Sequence, residues 1–316
     1  MLEMNDNSNN PNGSAVHLSL QGKGGVGKTT LALAFALGRA EQGSKVVVVT
    51  SHPLTELAVS ISLEGLKEKY PQAAANLYIT YIEAREVLNH RLSAVIPSAI
   101  LRKAVLSSRV YQSLIEVAPG LKEIAFLARL RQLAERRRHE EDGETFDLLI
   151  WDAPATGHFL QTLKAARNFH TNLSGPFAML GDELVQFFAD PSGMIVFPVA
   201  TLEEMAVEET IDLYRGLSNE IHVPPAGIIC NMASPLLASS DQEFDDIYRK
   251  VTTAESERQD LKFMLDRHVE ERSLFHKLEA TVTSPLHIVE RAPESGSDLE
   301  MLVGISGQVG AAVASR

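Results

Sequence analysis

The sequence predicts a doubly wound α/β fold: a mostly parallel sheet carrying a phosphate-binding loop, with an inserted helical subdomain. Three observations predict it. Short β-branched apolar runs recur with helical segments between them, the pattern of a parallel sheet covered on both faces. A glycine-rich loop lies between the first such run and a helix. Two stretches, Leu54 to Glu144 and Met232 to Thr283, exceed what a simple crossover needs and read as mostly helical insertions.

In chain order, Met1 to Ser14 is crowded with Asn, Asp, Ser, Pro and Gly and has too few apolar groups to order itself, so it reads as a disordered tail. Residues 15–316 then read as a single domain. Ala15-Val16-His17-Leu18-Ser19-Leu20 is a short buried strand, and Leu31 to Leu37 a helix that starts directly after the loop. Lys45-Val46-Val47-Val48-Val49-Thr50 is apolar on both faces, as a central parallel strand requires. Further strands of this type lie at Phe146 to Trp151, Gly193 to Pro198, Ala226 to Asn231 and Leu286 to Val289. Ligands of such a sheet bind outside the carboxyl ends of its strands. Within the first long stretch Leu121, Ile124, Leu127, Leu130 and Leu133 recur at helical spacing. The following Arg136-Arg137-Arg138-His139 reads as a solvated helix end whose cations suit a helix C-terminus, with a nucleic-acid or membrane contact as the alternative.

The loop itself is Gly22-Lys23-Gly24-Gly25-Val26-Gly27-Lys28-Thr29-Thr30. Its glycines let successive backbone N–H groups point inward at phosphate oxygens, and the helix that follows adds its positive N-terminus. Gly22, Gly24, Gly25, Val26, Gly27, Lys28, Thr29 and Thr30 are therefore the expected nucleotide-binding residues. Lys28 reaches the β- and γ-phosphates, and the Thr29 hydroxyl binds Mg²⁺. The buried strand ending Ile150-Trp151-Asp152 supplies the second half, a carboxylate placed to orient water on that Mg²⁺. Thr29 and Asp152 are thus the metal-site pair. Lys23 cannot easily reach phosphates held by its own tightly wound loop. It either faces a partner's nucleotide or is a solvated loop lysine.

Composition sets bounds on partners. The formal charge of −12 disfavours non-specific adhesion to nucleic acid or anionic lipid, although local basic patches remain open. No stretch reaches the uninterrupted apolar length of a membrane span and the N-terminus carries no basic-then-apolar leader, so the expectation is a soluble, cytoplasmic protein with no direct membrane anchoring. The single cysteine, Cys230, excludes an internal disulfide and a Cys-x-x-Cys metal site, and its apolar surroundings make it a small core residue.

The form x-Lys-Gly-Gly-x-Gly-Lys-Thr resembles the deviant Walker A loop of the family that contains the arsenical-pump and tail-anchored-protein-targeting ATPases, together with the MinD, ParA and nitrogenase iron-protein groups. Ala153-Pro154-Ala155-Thr156-Gly157-His158 resembles the switch II of the first two, and Ala118-Pro119-Gly120-Leu121-Lys122-Glu123 their preceding Pro-Gly-x-x-Glu turn. Glu209-Thr210 and Asn231 extend the likeness over most of Ala15 to Glu294. The resemblance implies ATP and Mg²⁺ as cofactors, Lys23 crossing a two-fold interface, and Asn231 reading the adenine edge with Ala292 and Pro293 beside the base. His158 relays conformation in relatives; here it serves either that or the bracing of a turn. Arsenical-pump ATPases hold their metalloid with several cysteine thiolates, so arsenite transport is disfavoured.

Switch I departs from the family. Where relatives have Asp-Pro-Ala-His-Ser, this chain has Thr50-Ser51-His52-Pro53-Leu54-Thr55-Glu56, so His52 stands in the place of the aspartate that orients the attacking water. A neutral imidazole can accept a proton or hydrogen bond from water, whereas a protonated one cannot act as a base. His52 joins Lys23, Lys28 and Asp152 as a catalytic candidate, with Glu56 as its possible substitute. Two functions follow from the resemblance: a dimeric ATPase that switches between open and closed states toward a protein client, or a hydrolysis-poor subunit that pairs with an active paralogue in a heterodimer. Phe169, Phe177, Met179, Leu180, Leu184, Phe187 and Phe188 lie where targeting relatives bind hydrophobic segments, but apolar residues at helical spacing are ordinarily core.

Overall fold

The computed structural model describes residues 16–50, 63–117, 120–134, 145–154, 159–165, 168, 181, 184–188, 194–238, 241–253, 259–292 and 297–314. The tail Met1 to Ser14, the Arg136 to His139 cluster, and Phe169, Phe177, Met179 and Leu180 lie outside the described residues. Seven parallel strands form the sheet, β1 Val16–Gln21, β2 Val46–Thr50, β3 Leu77–Tyr81, β4 Leu148–Asp152, β5 Met194–Ala200, β6 Ile228–Ala233 and β7 Leu286–Glu290, in the order β3-β2-β4-β1-β5-β6-β7. The doubly wound parallel sheet expected from the sequence is what the chain forms.

The described part of Leu54 to Glu144 is mostly helical, but it also holds a strand not expected from the sequence: Leu77-Tyr78-Ile79-Thr80-Tyr81 pairs with β2 as the edge strand. Its β-branched and aromatic residues favour a pleated surface, but it is short and every residue keeps some exposure. It therefore lacks the long apolar run that marks the central strands. Around it stand helices α2 Leu63–Lys69, α3 Pro71–Asn76, α4 Ala84–Val95, α5 Ala99–Leu106, α6 Arg109–Val117 and α7 Leu121–Ala134.

Alternation along the strands builds two core layers. Leu18, Leu20, Val46, Val48, Leu148, Ile150, Ile195, Phe197 and Val199 face one side, where they meet helix α1, Lys28–Glu41, and the C-terminal helix Asp298–Ala314. Val47, Val49, Leu149, Trp151, Met194 and Val196 face the other and meet α7 and the helical residues around Phe159, Leu163, Leu184 and Phe188. Leu184, Phe187 and Phe188 thus pack into the core. Beyond β5, helix α8, Glu204–Arg215, leads to β6; α9, Asp241–Thr253, and α10, Gln259–Thr281, precede β7; the C-terminal helix is α11. Leu274 and Leu278 of α10 close a third cluster over Cys230, which is fully buried as expected, its thiol pushed up to about 12 by desolvation. Among the described residues, no helix is long and apolar enough to cross a membrane.

Central strand β1 breaks the apolar pattern on its second face, where His17, Ser19 and Gln21 are all fully buried. His17 lies among aromatic rings, 6.2 Å from Trp151 and 5.8 Å from Phe187 between centroids, and neither ring nitrogen has a hydrogen-bond partner among the described residues. Burial lowers its pKa from 6.5 to about 3. Between those values the unfolded chain takes up a proton that the folded chain refuses, so stability falls as pH drops through that window, by about 1.4 kcal/mol per pH unit from this group. We expect His17→Phe to gain on the wild type by about that slope as urea unfolding is repeated from pH 7 down to pH 4.5. A stability difference that stays flat with pH would show that His17 is not buried in its neutral form.

Candidate nucleotide site

The site forms where β1 ends. Leu20 pairs with Asp152 of β4 on one side, and Gln21 with Pro198 of β5 on the other, so the chain leaves the sheet between the carboxyl ends of two neighbours. The next residue, Gly22, passes so close to β5 that a Cβ there would lie 2.2 Å from the Val199 carbonyl oxygen. Only glycine takes this path. At the other end of the loop Gly27 has φ +87° and lies under Asn231, whose amide nitrogen would be 2.4 Å from an added Cβ. Gly24 and Gly25 form the exposed crest, and Val26 is buried between.

Helix α1 then starts at Lys28 with no side-chain cap and no acidic residue in its first turn. Its leading N–H groups and dipole are left for an anion. Thr29 Oγ1 donates to Asp152 Oδ2 at 2.8 Å, across 123 residues of sequence, which brings together the two expected metal-site residues. Asp152 is almost fully buried. Lys28 curls over the loop, its ammonium donating to the carbonyls of Gly22 at 2.9 Å and Lys23 at 2.8 Å. Burial lowers its pKa, opposed by the charges of Asp152 and Glu209. The Lys23 side chain is half-buried and makes no hydrogen bond or ion pair among the described residues.

These features fit Mg-ATP: a loop path open only to glycine, an uncapped helix start, a cation at its first residue, and a hydroxyl and carboxylate in contact. Glu209, on α8, is a site residue the sequence marked only as a trace of likeness; its carboxylate acts on Lys28 across a fold no local pattern reveals.

Asn231 occupies the carboxyl end of β6, as expected, but its side chain is engaged with the loop. Its Nδ2 donates to the Val26 carbonyl at 2.8 Å. A register shift between Cys230 and Ala233 produces this aim, with Met232 in the left-handed region at φ 55°. The Arg291 N–H donates to the Ala233 carbonyl at 3.0 Å and carries the chain on to half-buried Ala292, at the same end of the sheet. His52, Thr156, Gly157, His158 and Pro293 lie outside the described residues.

The Asn231 contact gives a direct expectation. Asn231→Ala removes a buried hydrogen bond and leaves the Val26 carbonyl unpaired, which costs about 1–3 kcal/mol of stability and speeds amide hydrogen exchange across Val26 to Lys28. Unchanged exchange in the loop would mean that this bond does not hold it.

The sequence profile of the anion-transporting ATPase family matches residues 16–179, just over half of the chain, from β1 through the loop and Asp152. The chain is 34% identical over 151 residues to the putative arsenical pump-driving ATPase 2 of Aquifex aeolicus, covering 46% of this chain and 48% of that protein. To the ATPase BagA of Mycobacterium tuberculosis it is 24% identical over 231 residues, 71% of this chain and 66% of that one. To the arsenical pump-driving ATPase of Escherichia coli it is 28% identical over 236 residues, 72% of this chain but 37% of the relative. The chain therefore spans about half the length of the first of these relatives and less than two thirds of each. With the family profile running across the whole phosphate loop and its partner carboxylate, the chain belongs to the anion-transporting ATPase family.

Proposed function

We propose that this protein is a Mg²⁺-dependent ATPase that works as a dimer, in the manner of the arsenical-pump and tail-anchored-targeting branch, and switches between open and closed states toward a protein partner. The observation that carries this reading is the contact of Thr29 with Asp152 beside an uncapped helix start that begins with Lys28. Bound Mg-ATP would supply the phosphoanhydride and the cation that draws charge from it. Thr29, through its hydroxyl, and Asp152, through its carboxylate, are the residues that would hold the metal. Lys28 exchanges two backbone carbonyls for phosphate oxygens, a stronger, charge-assisted set of partners. Lys23, with no partner in its own chain's described residues, faces the nucleotide of the second subunit. Asn231 and Ala292 frame the base end.

The name of a relative does not fix the cargo. A metalloid held by thiolates needs several accessible cysteines of low pKa, and Cys230 is alone, buried and raised to about 12. A protein client fits better than an arsenical. A second reading is motivated by His52 in the aspartate's place: the chain binds ATP, hydrolyses it poorly and pairs with an active paralogue.

Steady-state hydrolysis by the purified chain, with mass and Mg-ATP affinity taken on the same samples, separates the two. For the ATPase reading, Lys28→Ala abolishes turnover, and Lys23→Ala lowers it by roughly 10²-fold or more while nucleotide affinity changes little. Tight Mg-ATP binding without turnover would favour the second reading, and absence of nucleotide binding would sink both.

A further inference from the structure

A cavity of about 560 Å³ opens at the carboxyl ends of β3 and β4, beside Asp152 of the nucleotide site. Its volume is that of a small-molecule pocket. Its apolar wall is half-buried Phe126; buried Ile82 lies beside it, and fully buried Trp151 lies behind it, the Phe126 and Trp151 rings 5.3 Å apart between centroids, with Pro154 at the side nearest Asp152. Around the rim stand Glu83 and Arg85 from the start of α4, and Lys122 and Glu123 from the start of α7.

The rim is charged in both senses. Arg85 is already engaged, with Gln112 and, at 2.9 Å, with Glu116. Glu83, Lys122 and Glu123 have no side-chain hydrogen bond or ion pair among the described residues. Glu83 is the N-cap of α4 but does not cap it, so the first N–H groups of that helix are open to an acceptor. A ligand with only negative charge would meet Glu83 and Glu123, and one with only positive charge would meet Lys122, Arg85 and the positive ends of two helices. A neutral apolar body would leave the rim unanswered. What matches wall and rim together carries a carboxylate, an ammonium and an apolar side chain.

We propose that this cavity is a binding site for a small zwitterion with an apolar side chain, the chemistry of a free hydrophobic α-amino acid. The carboxylate meets Lys122 and the uncapped start of α4, the ammonium meets Glu83 or Glu123, and the side chain lies on Phe126. The site uses none of the residues assigned to the nucleotide and does not depend on ATP turnover.

Trp151 is the only tryptophan in the chain and packs behind Phe126, so its emission reports on a change at that wall of the cavity. Titrating L-leucine into the full chain, with calorimetry alongside, gives a saturable change in that emission. N-acetyl-L-leucine, which lacks the ammonium, and L-leucinamide, which lacks the carboxylate, each bind roughly ten-fold or more weakly. Ala84→Leu, which pushes a larger side chain into the cavity, abolishes the response, and Lys122→Ala at an exposed position weakens it about ten-fold without loss of folding by circular dichroism. The proposal is overturned by the absence of a saturable response up to roughly 10 mM. Equal binding of leucine and its two blocked forms overturns it too, as does a response that survives Lys122→Ala unchanged.

Discussion

The path of the chain out of β1 governs the rest of the molecule. Because Gly22 lies against the Val199 carbonyl, the loop must rise between β4 and β5, and α1 must start over the end of the sheet. That start puts the Thr29 hydroxyl on the Asp152 carboxylate. The sheet order is what makes the contact available, since β4 inserts between β2 and β1 and so delivers Asp152 beside Leu20. A carboxylate this buried carries a large desolvation cost, which the Thr29 bond and the nearby Lys28 charge offset. Removing either partner would weaken what offsets that buried charge.

The central strands were legible from sequence because burial on both faces leaves few residue types: Val46 to Val49, Leu148 to Trp151 and Met194 to Val199 are all buried. That Thr29 and Asp152 come together was legible for a chemical reason, since few side chains suit a hard cation in a phosphate site and the sequence therefore pairs these two; the structure shows their contact. Where burial is partial the signal weakens. Strand β3 keeps some exposure at every position, so nothing in a mostly helical stretch marks it as a strand. The bond from Asn231 to the Val26 carbonyl spans 205 residues and depends on a register shift that no residue type announces, since Met232 is not a glycine although it takes a positive φ. Glu209 was hidden in the same way: a helix after β5 places it near Lys28, but its own neighbours in sequence say nothing of that.

Polar groups interrupt the apolar pattern of core strand β1. His17, Ser19 and Gln21 occupy one face of the strand that feeds the loop, and Gln21 Nε2 donates to Ser19 Oγ at 2.5 Å. Apolar residues there would pack with less penalty, so this face gives up stability. It lies in the layer that holds Trp151 and Phe159. On the opposite face, Leu18 and Leu20 hold β1 to α1 and α11 in the ordinary apolar way. The strand is thus firmly seated on one side and less so on the other.

The far end of the site is tied into the second insertion. Four residues, Asn231 to Ser234, carry three connections: Asn231 to the Val26 carbonyl, Ala233 to the Arg291 N–H, and Ser234 to α10, where the Glu271 carboxylate accepts its N–H at 3.1 Å. Glu271 is itself nearly buried and is steadied by Arg267 at 3.5 Å. A buried carboxylate that accepts a backbone N–H makes a short-range, directional link, stronger than a neutral bond. If the loop shifts and its Val26 carbonyl turns away, a buried amide is left unpaired at a cost of about 1–3 kcal/mol unless β6 follows. If β6 follows, Ser234 draws on Glu271 and therefore on α10. The cheaper course is for loop, strand end and helix to move as one, so that a change at the phosphate loop reaches Glu271 in the 23-residue helix α10, outside the nucleotide site.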